Sequence, residues 1–349
     1  MIAALTKEIR FSVNHPGTTP VVEKEVVETI YFGGGTPSIL EGHDLQQLFT
    51  ALKDVFIFSA TAEITLECNP DDITAERLME WTSFGINRLS VGLQSFSDKE
   101  LSWMNRAHTA SQSLASIDMI RKAGFTNFSV DLIYGSPLLS DEDWKANMEI
   151  VIASDIPHIS CYALTVEPGT ALDKMILSKK TKPVDADRQA EQFILLMNRM
   201  EEAGYDHYEI SNFAKPGFRS RHNSSYWSGE SYYGFGPSAH SYDGKRRRWN
   251  IANNALYIQS LQNNKLPFEE ETLSHQQQLN EYIMISLRTA EGLDLRKLGD
   301  RFGKDKSDQI LLSGRKYMDS HKLLLNDDRL VLTKEGKLFA DGIAADLFF

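Results

Sequence analysis

Thr29-Ile30-Tyr31-Phe32-Gly33-Gly34-Gly35-Thr36-Pro37 is the stretch on which the reading of the fold turns. Residues 27–32 mix β-branched, aromatic and apolar side chains and read as a buried strand. Three glycines follow at once, then a proline that fixes φ and redirects the chain. Residues without Cβ let a ligand lie against bare peptide N–H and C=O groups. A tight strand-to-helix turn is the plain alternative. The run matches neither G-x-G-x-x-G nor G-x-x-x-x-G-K-[ST], so the dinucleotide and P-loop readings lack their motifs.

Outward from this strand the chain alternates strand and helix. Residues 3–11 read as a helix and 14–19 as a Pro/Gly loop. After the glycines come a helix at 43–54 and a strand at 64–67 that ends in Cys68-Asn69-Pro70. Thr74 caps a helix through 83, closed by Gly85, and 88–93 is a third strand. Ser97-x-x-Glu100 has capping-box form, and Ser140-x-x-Asp143 repeats the signal behind a fourth strand at 128–134. Residues 159–164 are a fifth. Strands spaced this way by helices imply right-handed βαβ units in a parallel sheet. Polar residues at the strand ends favour a barrel or part of one, with Glu67, Gln94, Asp131 and the glycines on one rim. A doubly wound open sheet is the rival architecture.

A long helix at 185–203 stops at Gly204, and 205–250 turns rich in aromatics, glycine and histidine. Helices at 274–288, 294–302 and 308–319, then a hairpin at 323–332, give a mostly α, winged-helix-like end. Three regions are expected: a partial barrel at 1–204, a linking segment at 205–265 that completes the rim, and a helical domain at 266–349. Residues 271–349 carry 12 Lys/Arg against 13 Asp/Glu, which gives a DNA-reading role little electrostatic support.

The 349 residues are 42% hydrophobic and 24% charged, an ordinary globular composition. A net charge of −11 argues against a nucleic-acid surface. No apolar run reaches the roughly 20 residues of a membrane span. The start, MIAALTKEIRFSV, lacks the long apolar stretch of a signal peptide. Two separated cysteines, Cys68 and Cys161, suit a reduced, cytoplasmic setting, and neither has metal-ligand spacing.

Taken singly, the polar candidates are ambiguous. Glu67 at a strand end either accepts hydrogen bonds from a ligand or is solvated, and Gln94 and Asp131 carry the same two readings. Arg106 must reach back across a helix to meet a carboxylate; otherwise it is a surface arginine. In order and spacing, however, FGGGTP, LECNPDD, RLSVGLQSFSDKELSWMNRAH and VDLIYGSP closely resemble the radical S-adenosylmethionine (SAM) family of oxygen-independent coproporphyrinogen III oxidases. His222-Asn223-Ser224-Ser225-Tyr226-Trp227 resembles the HNxxYW mark of that family's heme-chaperone branch.

The resemblance implies an incomplete (β/α) TIM-like barrel with SAM across its C-terminal rim. Carried over, Gly34, Gly35 and Thr36 match positions that hold the methionine end of SAM, and Glu67 matches a SAM-contacting acid. Gln94, Arg106 and Asp131 match contacts to SAM or to a second SAM molecule; Ala163 matches a position beside the adenine, and His240 one where the last rim strand meets the nucleoside. His222, Asn223, Tyr226 and Trp227 form the heme signature. The family's CxxxCxxC loop, whose thiolates hold a 4Fe–4S cluster, is absent, and Cys68 and Cys161 fall in other motifs. The expectation is that the sequence starts downstream of that segment; loss of the cluster is the alternative.

The implied function is a radical-SAM-type heme chaperone with heme and an acceptor protein as partners. The alternatives are oxidative decarboxylation of coproporphyrinogen III and a cluster-less heme-binding or interaction module. His222 and His240 are either heme ligands or hydrogen-bonded structural residues. Lys245-Arg246-Arg247-Arg248 is either a solvated hairpin tip or a contact for propionates or an anionic partner.

Overall fold

The computed structural model describes residues 1–12 and 24–349, so the loop expected at 14–19 lies outside the described residues. Helix α1 (Ile2–Ser12) is followed by β1 (Glu25–Phe32), α2 (Gly42–Val55), β2 (Phe56–Cys68), α3 (Ala75–Ser83) and β3 (Arg88–Gln94). Then come α4 (Asp98–Trp103), α5 (Ala110–Lys122), β4 (Phe128–Tyr134), α6 (Asp141–Ala153) and β5 (His158–Ala163). After α7 (Ala171–Leu177) and α8 (Ala186–Glu202), β6 (Asp206–Glu209) and β7 (Asn212–Ala214) extend the sheet beyond residue 204.

The seven strands run β1-β2-β3-β4-β5-β7-β6, parallel through β5 and antiparallel at β7 and β6. The first five keep sequence order with no reversal, which removes the doubly wound rival, whose order switches direction. The sheet is a curled half-barrel. Its alternation explains the curl: Leu66, Leu89, Val130 and Ile159 on the outer face are buried in one core with Trp81 and Trp144. The intervening residues, Glu63, Thr65, Arg88, Ser90, Ser129 and His158, are buried and polar and face the concave lumen.

Two of the three helix-start signals form as read. Thr74 Oγ1 accepts from the Arg77 amide at 3.2 Å, and Ser140 Oγ from the Asp143 amide at 3.0 Å. The third does not. Ser97 makes no side-chain cap, and Glu100 is buried, accepting from Ser95 Oγ at 2.8 Å and Ser136 Oγ at 2.6 Å. It ties together the loops after β3 and β4, a stronger demand on a carboxylate than an exposed helix start.

Beyond the sheet, α9 (Arg221–Ser228) precedes β8 (His240–Tyr242), β9 (Arg246–Asn250), α10 (Asn254–Gln262) and β10 (Phe268–Thr272); the three strands form a second, antiparallel sheet. The basic run therefore begins at the exposed tip of the β8–β9 hairpin with Lys245 and continues along β9 from Arg246. Arg247 and Arg248 stand opposite Glu271 and Glu270, and Arg246 pairs with Asp243 at 2.8 Å. The last region contains α11 (His275–Leu287), β11 (Leu293–Asp294), α12 (Leu295–Phe302), α13 (Lys304–Asp319), β12 (Leu323–Asn326), β13 (Arg329–Leu332), α14 (Lys334–Lys337) and α15 (Ala340–Asp346). It is winged-helix-like, as read, with its own core. It docks on the β6 edge, where Ile210 N donates to Arg288 O at 3.1 Å and Ala290 N to Tyr208 O at 3.0 Å.

Glu8 fastens α1 to the second sheet. Its buried carboxylate accepts from the Gly236 amide at 2.8 Å, Asn250 Nδ2 at 2.6 Å and the Tyr257 hydroxyl. Burial raises its pKa against the pull of these three donors. Glu8→Ala would strand all three, so it should cost about 3 kcal/mol in urea unfolding. A loss under about 0.5 kcal/mol, the surface-residue range, would show that the donors find other partners.

Candidate functional site

The glycine turn sits at the C-terminal mouth of β1. Gly34 and Gly35 have φ of +76° and +78°, and a Cβ at either would point into open space. A Cβ at Gly33 would instead lie 2.6 Å from the Tyr31 ring and 2.9 Å from Glu67 Oε1. The turn is thus pressed against Tyr31 and Glu67 on one side and presents bare backbone on the other. Glu67 accepts from the Tyr31 hydroxyl at 2.9 Å and from the Gly34 amide at 3.1 Å. Thr36 is half-buried at the end of the turn.

Beside it, Gln94 ends β3 in a left-handed conformation, φ +68°, and its side-chain nitrogen lies against Gly92. Arg106 does reach back across the helix: Nη2 donates to Asn69 Oδ1 at 2.8 Å and to the Gly92 carbonyl at 3.1 Å. Its Nε is buried and has no hydrogen-bond partner among the described residues. Asp131 lies mid-way along β4, below the rim. Burial pushes its carboxyl up to about 6, helped by the Glu67 charge and opposed by Ser160, Ser90 and Arg88. Two expected rim positions lie elsewhere. Ala163 ends β5 but turns its methyl toward the outer core, so only its backbone is available at the mouth. His240 begins β8 of the second sheet and is exposed.

Deeper in the lumen is a layer that motif reading missed. Arg88 is 1% exposed with Nε 4.0 Å from Glu63, and two of its nitrogens have no hydrogen-bond partner among the described residues. His158 Nε2 meets the Tyr208 hydroxyl at 2.7 Å. A polar residue at every second position of several strands was the available signal: Glu63 and Thr65 before Glu67, Arg88 before Ser90.

The HNxxYW residues form α9. Ser220 caps it, accepting from Asn223 N at 3.2 Å. Glu63 Oε2 and Oε1 accept from the amides of Arg221 at 3.2 Å and His222 at 3.0 Å. His222 Nδ1 contacts Thr29 Oγ1 at 2.9 Å, and the ring stacks on Tyr31 at 4.7 Å. Burial, with Arg88 adding to it, lowers its pKa to about 4, so it is neutral at pH 7. In this geometry the imidazole is hydrogen-bonded and stacked.

Asn223, Tyr226 and Trp227 line a cleft of about 780 Å³ between the lumen, the second sheet and α11, with the Tyr226 ring edge-on to His222 at 5.0 Å. Tyr162, Tyr232, Tyr242 and Tyr282 add aromatic walls, and Arg247, Arg288 and Arg301 add positive charge against the carboxylates of Glu209, Glu230 and Glu281. Arg288 lies over the Trp227 ring at 5.2 Å and bonds Glu209 at 3.2 Å and Asp341 at 2.7 Å. Arg301 donates to Gln278 at 3.2 Å and, among the described residues, has no carboxylate partner. Cys68 and Cys161 are buried in the outer core, and burial raises both thiols, so neither offers a thiolate to the mouth.

The raised Asp131 carboxyl predicts a pH effect. Between about pH 4 and 6 the folded chain holds a proton that the unfolded chain has released, so stability falls as pH rises through that window. Asp131→Asn should remove this slope, gaining on the parent by about 2 kcal/mol across it in urea unfolding. A difference that does not vary with pH would show that Asp131 ionises as an ordinary carboxylate.

Comparison with known proteins matches this geometry. The Radical SAM superfamily model covers residues 20–151 and the HemN C-terminal domain model residues 273–339. A heme chaperone HemW of Mycobacterium tuberculosis is 34% identical over 327 residues, 93% of this chain and 82% of the relative. The Bacillus subtilis heme chaperone HemW is 32% identical over 320 residues, 91% of this chain and 84% of the relative. The Escherichia coli coproporphyrinogen III oxidase HemN, a radical SAM enzyme, shares the fold at a TM-score of 0.83 and 21% identity, over 99% of this chain and 82% of that one. With the half-barrel, the glycine turn, the HNxxYW helix and the winged C-terminal region all in place, this chain belongs to the HemW/HemN-like family of radical SAM proteins.

Proposed function

We propose that this chain is a heme chaperone that binds SAM at the mouth of the half-barrel and holds heme, as cargo, in the adjacent cleft for transfer to an acceptor protein. The observation that carries the reading is the cleft. It is floored by the signature helix, walled by flat aromatic rings and supplied with guanidinium groups, and a porphyrin with two propionates needs those features. The names of the two HemW relatives support it. The cleft also favours heme over a role confined to SAM, because Asn223, Tyr226 and Trp227 face it and not the glycine turn.

At the mouth, the residues present fit SAM. The open backbone at Gly34 and Gly35 receives the amino-acid end, with Thr36 beside it. Arg106 Nε is a buried donor without a partner among the described residues, suited to a carboxylate. Glu67 and Asp131 supply negative charge for an ammonium and a sulfonium. SAM brings an activated sulfonium–carbon bond; this chain's residues orient it and keep one end fixed against backbone. An iron–sulfur cluster does not fit residues 1–349, since two buried, core-facing cysteines cannot supply three convergent thiolates.

In calorimetry SAM should bind weakly, and both Glu67→Ala and Arg106→Ala should weaken it about tenfold, or ~1.4 kcal/mol. In heme titrations followed by the Soret band, Trp227→Ala and Arg301→Ala should weaken binding by a similar factor, while Glu67→Ala leaves it intact. A folded parent chain that gives no Soret shift would overturn the heme reading. Equal SAM affinity in the parent and Glu67→Ala would remove the role of Glu67.

A further inference from the structure

The end of the mouth farthest from the glycine turn is held by a helix that plays no part in the site so far. The groups assigned to the amino-acid end of SAM, Gly34, Glu67 and Arg106, stand at the ends of β1, β2 and β3. Neighbouring strands lie about 4.8 Å apart, so the rest of an extended ligand falls over the ends of β4 and β5. There β5 carries an unpaired edge. Leu164 N donates to Tyr134 O at 2.9 Å, so the N–H and C=O of Ala163 point away from β4. On the other side β7 follows β5 only as far as Ser211, whose carbonyl accepts from Cys161 N at 2.7 Å. Among the described residues, the Ala163 N–H and C=O therefore have no strand partner. A donor and an acceptor side by side on one strand edge match the hydrogen-bonding edge of a purine.

Two glutamines of α8 hold the loops around this edge. Gln192 is fully buried; its Oε1 accepts from Gly135 N at 2.9 Å, and its Nε2 donates to Asp141 Oδ1 at 3.0 Å and Leu139 O at 3.3 Å. It serves the loop after β4. Gln189 serves β5 itself, its Nε2 donating to Leu164 O at 2.8 Å. To get there the side chain passes hard against the loop after β4. A Cβ at Gly135, whose φ is +78°, would lie 2.2 Å from Gln189 Cγ, so a glycine is needed to let it through. Residues 167–171 beyond are exposed. The Tyr134 carbonyl on one side and the Gln189 amide on the other thus fix the residue that directly follows Ala163.

Resting on the SAM reading above, we propose that Gln189 is a positioning residue for the nucleoside end of SAM: its amide holds the Leu164 carbonyl so that the Ala163 N–H and C=O lie across the mouth as a reader of the purine edge. Gln189 does not touch the ligand. It acts through one peptide unit, and a backbone reader is only as selective as its orientation is fixed. Adenine and hypoxanthine test that orientation, because they exchange a donor and an acceptor on the same edge. A fixed N–H and C=O pair accepts the first and leaves unpaired groups against the second.

The test is ligand-observed NMR on the full chain with SAM, 5′-methylthioadenosine and 5′-methylthioinosine, the last two keeping the nucleoside without the amino acid. Gln189→Glu keeps the size and sets an acceptor against the Leu164 carbonyl; Gln189→Met keeps the length and has no donor. Gln189 is half-buried, so both should fold, checked by circular dichroism. The parent should prefer methylthioadenosine to methylthioinosine by about tenfold. Both variants should bind SAM and methylthioadenosine about tenfold more weakly and bring that preference close to one. A side chain that only stabilised the fold would leave the preference where it was. If the variants keep the parent's affinities, or lose affinity with the preference unchanged, the role of Gln189 is wrong and the SAM reading stands. A parent that binds SAM but does not tell the two nucleosides apart, or binds neither, removes the purine reader. If the parent binds no SAM, the SAM reading falls and the assignment falls with it.

Discussion

One buried carboxylate organises the functional face of this protein. Glu63 sits inside the half-barrel on β2, where an unpaired charge would be costly. It is satisfied by the first two amides of α9, at 3.2 and 3.0 Å, with Arg88 4.0 Å away. A helix N-terminus carries unpaired N–H groups and the positive end of its dipole, so each partner solves the other's problem. In a partly buried site that pairing is worth up to about 2 kcal/mol. Its geometric effect matters more. It pins the start of an eight-residue helix to the lumen of an open sheet, and that helix then has one face toward β1 and one toward the cleft.

The two faces connect the candidate sites. On the β1 side, His222 stacks on Tyr31, Tyr31 donates to Glu67, and Glu67 holds the Gly34 amide. On the cleft side, Tyr226 meets Tyr232, and Trp227 meets Arg288, which is itself tied to Glu209 at the sheet edge. A displacement of the glycine turn therefore has a short packed route to the cleft wall. The winged C-terminal region joins the same frame, because Arg288 and the 288–290 backbone bond the β6 edge. An element that looks appended in sequence is a wall of the cleft.

Much of the barrel was legible because its signals are local. The 128–134 strand matches β4 at both ends, and Thr74 and Ser140 cap where their spacing says. What escaped depends on distant partners. The strand read at 64–67 runs from Phe56, since its first residues pair with Glu25 to Val27 on β1, a contact no local pattern announces. Glu100 and Glu8 sit on helices at positions that suit a surface acid, yet both are buried acceptors for donors far away in sequence. The run at 245–248 looked like free positive charge because its neutralising acids, Glu270 and Glu271, arrive on a strand more than twenty residues later. At the mouth, Glu67, Gln94 and Arg106 converge with the glycines. Ala163 and His240 do not share that face, because one turns outward with the pleat and the other belongs to a different sheet.

The electrostatics of the two regions then explain why they can coexist so close together. The mouth gathers the carboxylates of Glu67 and Asp131 with one arginine, a balance suited to a cationic ligand. The cleft sets three arginines, and the carboxylates of Glu209, Glu230 and Glu281, against aromatic faces, and Arg301, without a carboxylate partner among the described residues, is the group there suited to an anionic, planar one. Between them lies a wall of Tyr31, His222 and Tyr226. That wall must stay neutral, since a protonated His222 would place a cation between the two regions and close to Arg88. Burial and the Arg88 charge both hold the imidazole down to about 4, so at neutral pH the partition carries no charge. The arginine buried under the signature histidine therefore acts twice: it offsets the Glu63 carboxylate that anchors the helix, and it keeps the helix's first side chain uncharged.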